Sequence, residues 1–275
     1  MEDQALQEHG NGQGDASNQP DKEPVESTHL VNADEPCRIG PLSAVTPRKC
    51  YPTFSKPVLI TCDDGSDYIV KGRQLGKAIV NDRVIGLLGK AMQAPVGEVL
   101  FVQVSQELID MNPAMLGHLQ AGLAHGCLFV PNVSERLGVT HFQETPNRTR
   151  FARLAVLYGL AQANDHQFFY SSAPANLVFS FDHGHFFPGG PQWTREALLA
   201  APPPTIDTQI VAACRLLDHE VNDARELLRS VTDSVIVASI TSIPEDWGIT
   251  NDERGVLAQY LQDRRDLLLA GSQEP

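Results

Sequence analysis

The sequence predicts an α+β fold in which a strand-rich part precedes a helix-rich part. Apolar runs of strand length occur at residues 58–62 and 98–105, whereas residues 151–162 form an apolar stretch of helix length. Strands and helices that are segregated along a chain favour an α+β fold, or two lobes, over a doubly wound parallel sheet. With 42% hydrophobic residues among 275, the chain can bury one large core or two smaller ones.

The strand-rich part is predicted to contain a β-hairpin that ends on a lysine. Residues 58–62 and 67–71 are the predicted strands, and Asp-Asp-Gly-Ser at 63–66 joins them. These residue types favour a tight turn, because glycine tolerates positive φ and aspartate bonds its own backbone. The second strand therefore presents Lys71 at its end.

A helix is predicted to follow the hairpin. Apolar residues at positions i, i+3, i+4 and i+7 give it one apolar face. These residues are Val84, Leu87, Leu88 and Ala91. We expect Asn81 to be its N-cap, and Pro95 with Gly97 to end it. A third strand is predicted over residues 98–105.

The helix-rich part is predicted to begin with a buried helix over residues 151–162. A polar loop over 163–175 and a short strand over 177–181 follow it. Most of the remaining chain has helical periodicity. The last helix should begin at Thr250, because Glu253 stands three residues later and completes a capping box.

Residues 1–36 differ in composition from the rest of the chain. They contain nine acidic residues, one base and no aromatic residue, so they have too little apolar surface to offset the entropy of ordering. We therefore predict a disordered acidic tail over 1–36, a strand-rich region over 37–110 and a helical region over 111–272. The formal net charge of −13 argues against nucleic acid as a partner, because a polyanion would be repelled.

The sequence has no pattern typical of export or of membrane insertion. A basic segment followed by an apolar run is missing from the N-terminus, and no uncharged apolar run is long enough to span a bilayer. The five cysteines are scattered without a C-x-x-C pair, which favours reduced thiols over a disulfide framework. The expectation is a cytoplasmic protein with no membrane partner.

Two acidic residues in the helix-rich part are candidates for phosphoryl-transfer chemistry. Asp165 follows the predicted buried helix, and Asp182 comes seventeen residues later, after the short strand. If the loop and the strand end meet, one carboxylate can accept a proton while the other holds Mg²⁺. In the strand-rich part, Lys71 could contact nucleotide phosphates while Asp82 holds it. The alternative is a surface lysine and an acid that favours a helix N-terminus.

Two further groups of residues have candidate chemistry. Histidines two positions apart on an extended segment can share a zinc ion with nearby ligands. That group comprises His166, Asp182, His183 and His185. The second group is a Cys127 nucleophile with His125 as its base. In each case the alternative is structural, with histidines that bond backbone carbonyls and a cysteine that is simply buried.

Taken in order, several short motifs resemble the HipA-like kinase family, in particular its small stand-alone branch. The resemblance extends from about residue 40 to residue 270. Each motif is short, and the specificity lies in the ordered set. The motifs are Asp63-Asp64-Gly65, Tyr68-Ile69-Val70-Lys71, Asn81-Asp82, Gly122-Leu123-Ala124-His125-Gly126, Asn164-Asp165-His166, Phe181-Asp182-His183-Gly184-His185-Phe186-Phe187 and Ile243-Pro244-Glu245-Asp246-Trp247.

This resemblance implies a two-lobed protein-kinase-like fold with a small strand-rich N-lobe and a helical C-lobe. Such a protein binds ATP and Mg²⁺ and transfers the γ-phosphate to a protein or small-molecule hydroxyl. By the resemblance, Lys71 would hold the α- and β-phosphates and Asp82 would pair with it. Asp165 would be the catalytic base and Asp182 the metal ligand. The adenine-binding hinge would contain Gln103, Val104 and Ser105.

The chain also departs from the family pattern. The family has arginine where this chain has His166, and asparagine where it has Tyr170. Asn176 is the nearest substitute as a second Mg²⁺ ligand, because hard cations prefer carboxylate and carbonyl oxygens. Asp82 replaces a longer glutamate, and no G-x-G-x-x-G phosphate loop precedes the hairpin. Two hypotheses follow: an ATP-dependent phosphotransferase, or a pseudokinase that acts as a nucleotide-sensing or protein-interaction module.

Overall fold

The computed structural model describes residues 40–136 and 138–271. The predicted acidic tail, residues 1–36, lies outside this part of the chain. The strands of the described part are β1 (Leu42–Cys50), β2 (Val58–Cys62), β3 (Asp67–Lys71), β4 (Val99–Val104), β5 (Gly122–Leu128), β6 (Val133–Arg136), β7 (Phe168–Ser171) and β8 (Val178–Ser180). Its α-helices are α1 (Lys77–Ala91), α2 (Gln106–Met111), α3 (Pro113–Leu116), α4 (Thr145–Ala161), α5 (Arg195–Leu199), α6 (Thr208–Cys214), α7 (Asp218–Glu226), α8 (Asp233–Thr241) and α9 (Asn251–Ala270).

Strands β1 to β5 close into a barrel in the order β1-β2-β3-β5-β4. Neighbouring strands are antiparallel except β1 and β4, which pair in parallel. Side chains alternate along the strands, and the inward-facing ones form the barrel core. Among these core residues are Val58, Ile60, Tyr68, Val70, Val102 and Val104. The predicted hairpin is confirmed, since β2 and β3 have the predicted bounds and Gly65 has a positive φ of 82°.

Helix α1 starts earlier than the sequence predicted. It begins at Lys77, after Gly76, whose φ of 55° separates it from the preceding 3-10 turn. The N-cap prediction for Asn81 is therefore wrong, because Asn81 lies inside the helix and is fully buried. The helix also ends at Ala91, several residues before Pro95. Because α1 packs against both β4 and α8, residues on several of its faces are buried, whereas the sequence periodicity predicted one apolar face.

The chain leaves the barrel after β4 and then returns to it. Ser105 caps α2, since its Oγ accepts the backbone N–H of Leu108 at 3.1 Å. Helix α3 leads back into β5, which pairs with both β3 and β4. The predicted boundary after residue 110 thus falls inside α2, and the strand-rich part extends to Leu128. Strand pairing joins segments that are distant in sequence, and composition alone does not reveal it.

Helix α4 is central to the helix-rich part. It runs over Thr145–Ala161, so it begins before the predicted residue 151, and it packs against α6, α7 and α9. Arg264 of α9 closes its C-terminal end. The Arg264 guanidinium donates to the carbonyls of Gly159 (2.8 Å), Leu160 (2.7 Å) and Pro202 (2.8 Å).

A second sheet has the order β6-β7-β8 and contacts α4 through β8. The predicted polar loop over 163–175 is partly wrong, because it contains β7. The predicted strand over 177–181 is confirmed as β8. The capping box of α9 is also confirmed, since Thr250 and Glu253 bond each other's backbone N–H groups at 3.2 and 2.9 Å. Within residues 40–136 and 138–271, no helix combines the length and apolarity needed to cross a bilayer.

Candidate active site

A lysine at the end of a strand and an aspartate inside a helix form the centre of the site. Lys71 is the last residue of β3, and Asp82 lies in α1. The Lys71 Nζ is 2.8 Å from Asp82 Oδ2. Lys71 is only 6% exposed, so the alternative of a surface lysine is wrong. The structure brings the two predicted partners together.

Lys71 also contacts Asp182, which follows β8. The Lys71 Nζ is 2.5 Å from Asp182 Oδ1. The Asp182 side chain is 38% exposed, and its Oδ2 has no hydrogen-bond partner within the described part of the chain. A partly exposed carboxylate with an unbonded oxygen suits Mg²⁺, which prefers oxygen ligands and keeps several waters.

Burial and charge shift the pKa values of the central pair in opposite directions. Burial would lower the pKa of Lys71, but the carboxylates of Asp82 and Asp182 outweigh it, so the pKa of Lys71 is raised. Burial would likewise raise the pKa of Asp82, but Lys71 and His125 outweigh it and hold that pKa well below its usual range. Lys71 therefore stays cationic and Asp82 anionic at physiological pH.

The carboxylate of Asp82 is also bonded to the segment after β8. Its Oδ1 accepts the backbone N–H of His183 at 2.9 Å. The His183 Nε2 lies 2.9 Å from Ser180 Oγ, which in turn lies 2.6 Å from the Tyr158 hydroxyl. On the barrel side, the buried ring of His125 has its Nε2 3.4 Å from Asp82 Oδ2. A buried polar chain therefore runs from α4 through Asp82 to the barrel.

The backbone at Asp182 has an unusual conformation. Its φ and ψ are both 60°, in the left-handed region, which costs a non-glycine residue about 1–2 kcal/mol. Such conformations persist where the surrounding structure holds them, and they cluster at functional sites. Two residues later, Gly184 lets the chain approach α1 closely, since a Cβ at this position would lie 3.3 Å from the carbonyl oxygen of Ala78.

Asp165 reaches the same end of the β7–β8 hairpin as Asp182. Phe168 at the start of β7 pairs with Ser180 at the end of β8, so the segments just before β7 and just after β8 leave the hairpin together. Asn164 fixes this loop, because its Nδ2 donates to the carbonyl of Phe187 at 2.6 Å. Asp165 itself is half-buried and has no hydrogen-bond partner among residues 40–136 and 138–271. It is therefore available to an incoming group.

The structure does not bring Asn176 or Tyr170 to this site. Asn176 lies at the turn end of the hairpin, and its Nδ2 donates to Glu144 Oε1 at 3.3 Å. Tyr170 is buried in β7, where its hydroxyl accepts the backbone N–H of Thr140 at 2.9 Å. Because β8 separates Asn176 from Asp182, a shared metal site for these two residues is not supported.

The predicted hinge residues also lie elsewhere. Gln103 and Val104 form the end of β4 and pair with β5, and Ser105 caps α2. The chain at this point enters the α2–α3 connection and returns to the barrel. The chain leaves the barrel for the helix-rich part after β5, at residues 129–132.

The two alternative chemistries find little support in the geometry. His183 is buried and bonded to its neighbours, whereas His185 is exposed, and the described residues contain no group of three or more His, Cys, Asp or Glu that could hold a metal. Burial raises the pKa of the Cys127 thiol to about 12, so it stays protonated and is a poor nucleophile.

Sequence reasoning missed the roles of Asn81 and His125. Asn81 was predicted to cap a helix, and His125 was weighed as the base of a cysteine nucleophile or as a structural residue. Both are buried next to Asp82. One pattern in the sequence indicates this arrangement. Asn81, Asp82 and Arg83 interrupt an otherwise apolar helix, and buried polar residues need partners.

Comparison with solved structures identifies the fold. The chain is similar to CtkA, a proinflammatory kinase of Helicobacter pylori, with a TM-score of 0.57, 11% sequence identity, and coverage of 85% of this chain and 98% of that one. The Golgi casein kinase matches with a TM-score of 0.46 and 10% identity, covering 84% and 72%. HipA of Shewanella oneidensis, solved with HipB and operator DNA, matches with a TM-score of 0.40 and 13% identity, covering 76% and 57%. The likeness to CtkA defines a mixed α/β kinase fold with a strand-rich N-terminal part and a helical C-terminal part.

The sequence then identifies the family. The model of the HipA-like kinase family matches residues 46–184, just over half of the chain. The chain belongs to the HipA-like kinase family. Lys71, Asp82, Asp165 and Asp182 all lie within the matched region. A search of curated proteins gave no sequence match.

Proposed function

We propose that this chain is an ATP-dependent phosphotransferase that transfers the γ-phosphate to a hydroxyl group of a protein or a small molecule. The observation that carries the proposal is the contact of Lys71 with both Asp82 (2.8 Å) and Asp182 (2.5 Å). Protein kinases use one acidic residue to hold such a lysine and another to hold Mg²⁺. Membership of the HipA-like kinase family supports the same function.

In this proposal, Lys71 binds the nucleotide phosphates. Asp82 orients the ammonium group and keeps it protonated, so its charge is available to the phosphate oxygens throughout the reaction. Asp182 would hold Mg²⁺ through the oxygen that Lys71 leaves unbonded, and the bound ion would neutralise charge on the phosphates. Because the ammonium group is already desolvated and oriented, little reorganisation is needed when phosphates bind.

Asp165 is the proposed catalytic base. It stands at the same hairpin end as Asp182 and has no competing hydrogen bond within the described residues. Its carboxylate would accept the proton of the acceptor hydroxyl as the new oxygen–phosphorus bond forms. The bond between the γ-phosphorus and the bridging oxygen breaks in the same step, and ADP leaves.

We also propose two lobes, with the barrel and α1 forming the smaller one. Residues 129–132 replace Gln103–Ser105 as the adenine-binding hinge in this proposal. The N–H of Phe129 is bonded to the carbonyl of Asp67 at 2.9 Å, and the carbonyl of Asn132 accepts the N–H of Ser172 at 2.8 Å. Between them, the backbone N–H and carbonyl of Val130 have no partner among the described residues and are available to the edge of a base.

The nucleotide site is tested by thermal unfolding with ATP alone, Mg²⁺ alone and both together. Because a ligand that binds only the folded state stabilises it, ATP with Mg²⁺ at a hundredfold excess over Kd should add about 2.7 kcal/mol. Lys71→Ala should abolish this stabilisation. Lys90→Ala, which changes an exposed lysine paired with Glu98, should retain it. Absence of stabilisation in the unmodified chain under every condition would overturn the proposal.

A pseudokinase is the second candidate function, and two observations favour it. Tyr170 occupies the position where the family has a metal-binding asparagine, and it is buried and bonded in β7. The turn between β1 and β2, residues 51–57, also contains no glycine to approach phosphates closely. A pseudokinase would bind nucleotide without turnover. Release of ADP from ATP by the unmodified chain, lost in Asp165→Asn, would exclude it.

A further inference from the structure

Asn81 is a fully buried polar residue that the proposed mechanism does not use. Its Nδ2 donates to the carbonyls of Gly184 (2.8 Å), Phe186 (3.1 Å) and Gly190 (3.4 Å). Its Oδ1 accepts the indole N–H of Trp193 at 2.8 Å. One side chain of α1 therefore bonds four polar groups of the segment that follows Asp182, with its two N–H groups shared among the three carbonyls.

The next residue of α1 contacts the same segment from another direction. Asp82 accepts the backbone N–H of His183 at 2.9 Å, at the position directly after Asp182. Adjacent residues in an α-helix project about 100° apart, so the segment must wrap around α1 to meet both side chains. Asn81 and Asp82 together hold the backbone on the C-terminal side of Asp182.

Asp182 needs such support because of its backbone. A left-handed, non-glycine residue is held in place only by its surroundings. Phe187, in the same segment, also has a positive φ of 71°. Without the bonds from α1, this segment would relax toward commoner conformations, and the carboxylate of Asp182 would move relative to Lys71.

We infer that Asn81 is a positioning residue, which holds Asp182 in its metal-binding orientation and joins α1 and residues 182–193 into one rigid unit. The inference rests on the proposed function, because it assigns Asp182 to Mg²⁺. A displacement of α1 would leave a buried amide, a buried carboxylate and several backbone carbonyls without partners, which is costly. In this inference, the hydrogen bonds from α1 hold residues 182–193 in place, so no additional contact is needed to order this segment.

Asn147 provides a matched control for Asn81. It is also a fully buried asparagine, and its Nδ2 donates to three carbonyls, those of His141 (3.0 Å), Ala175 (3.3 Å) and Asn176 (2.9 Å). Its Oδ1 accepts the backbone N–H of Val178 at 2.9 Å. The two residues make the same set of bonds, but those of Asn147 hold the turn end of the β7–β8 hairpin.

The test compares Asn81→Ala with Asn147→Ala in the full chain. Affinity for ATP is measured by calorimetric titration with and without Mg²⁺, and unfolding is followed in urea. Asn81→Ala should weaken ATP binding in the presence of Mg²⁺ by roughly tenfold, while Mg²⁺-free binding through Lys71 changes by less than about twofold. Asn147→Ala should lose comparable stability, since it removes the same kinds of bonds, but should keep the Mg²⁺-dependent affinity.

The outcomes separate the inference from the proposed function. Equal Mg²⁺-dependent affinity in the two variants would overturn the positioning role alone. No Mg²⁺-dependent binding in the unmodified chain would overturn the proposed function and this inference with it. If Asn81→Ala does not fold, Trp193→Phe decides. This substitution removes the indole donor to Asn81 and also part of the buried ring that packs against Lys77, a loss of stability that urea unfolding measures separately. It should weaken Mg²⁺-dependent binding by about threefold, and an unchanged affinity would overturn the inference.

Discussion

The two ends of the β7–β8 hairpin are held by different kinds of bonds. At the turn end, Asn147 and Tyr170 make hydrogen bonds between uncharged groups. At the open end, where β7 begins and β8 ends, the bonds are between charged groups, because Lys71 lies between Asp82 and Asp182. Buried charges are costly, and apolar or neutral groups usually hold a fold as well. The open end is therefore suited to holding charged groups, whereas the hydrogen bonds of Asn147 and Tyr170 at the turn end are neutral.

The largest expected effect is on phosphoryl transfer. Asp165→Asn and Asp182→Asn should each lower the rate of ADP release from ATP at least a hundredfold, because the proton acceptor or the metal ligand is lost. Asn176→Ala at the turn end should change the rate by less than about twofold. A steady-state assay with saturating Mg²⁺ measures all three. If Asn176→Ala lowered the rate of ADP release as much as Asp182→Asn, the two ends of the hairpin would not differ in their proposed roles.

The next effect is on stability, measured by urea unfolding. Asp82→Ala should destabilise the fold by about 3–5 kcal/mol, because it leaves the buried Lys71 charge without its main partner. Tyr170→Phe should cost only about 1 kcal/mol, because it removes neutral hydrogen bonds to Thr140 and Gly138 and preserves the ring. If Tyr170→Phe lowered the free energy of unfolding more than Asp82→Ala, the neutral hydrogen bonds of the turn end would stabilise the fold more than the charged groups of the open end. That result would contradict this comparison.

The local features of the fold were predictable from sequence, because they depend on neighbouring residues. The hairpin of β2 and β3 follows from alternation and turn chemistry, and the start of α9 follows from its capping box. Features set by distant contacts were not predictable in this way. Strand β7 is short and is stabilised by pairing with β6 and β8, so its sequence resembles a loop.

In the candidate site as well, the features that depend on local sequence were predictable and those set by distant contacts were not. Lys71, Asp82 and Asp182 were predicted from their positions at a strand end, in the next helix and after an apolar strand, and the structure brings them together. The hinge prediction for 103–105 did not anticipate that the chain returns to the barrel in β5, because this return is a long-range pairing. Asn81 was misread as a cap because its true partners lie about a hundred residues away.

The smallest expected effect concerns pH and His125. Burial lowers the pKa of His125, with Lys71 and Arg83 acting in the same direction and Asp82 against it. Below the unfolded pKa of about 6.5, the unfolded chain binds a proton that the folded chain does not, so His125 makes stability fall as pH falls. His125→Gln should reduce this slope by at most about 1.4 kcal/mol per pH unit between the two pKa values.

The control for this prediction is His219→Gln, which changes an exposed histidine and should leave the slope as it is. Urea unfolding at several pH values between 5 and 7.5 measures the difference. If the slope in His125→Gln were the same as in the unmodified chain, burial beside Asp82 and Lys71 would not lower the pKa of His125, and this prediction would be wrong.

The order in which the chain is made has a consequence for Arg264. This residue closes the end of α4, from which the Asp165 loop departs, yet it lies 105 residues after Gly159. During synthesis on the ribosome, α4 emerges long before the guanidinium that bonds two of its C-terminal carbonyls. A nascent chain that has reached only α8 therefore contains every proposed catalytic residue, while the C-terminal end of α4 still lacks Arg264. The C-terminal end of α4 is completed only when α9 has been released and has folded back.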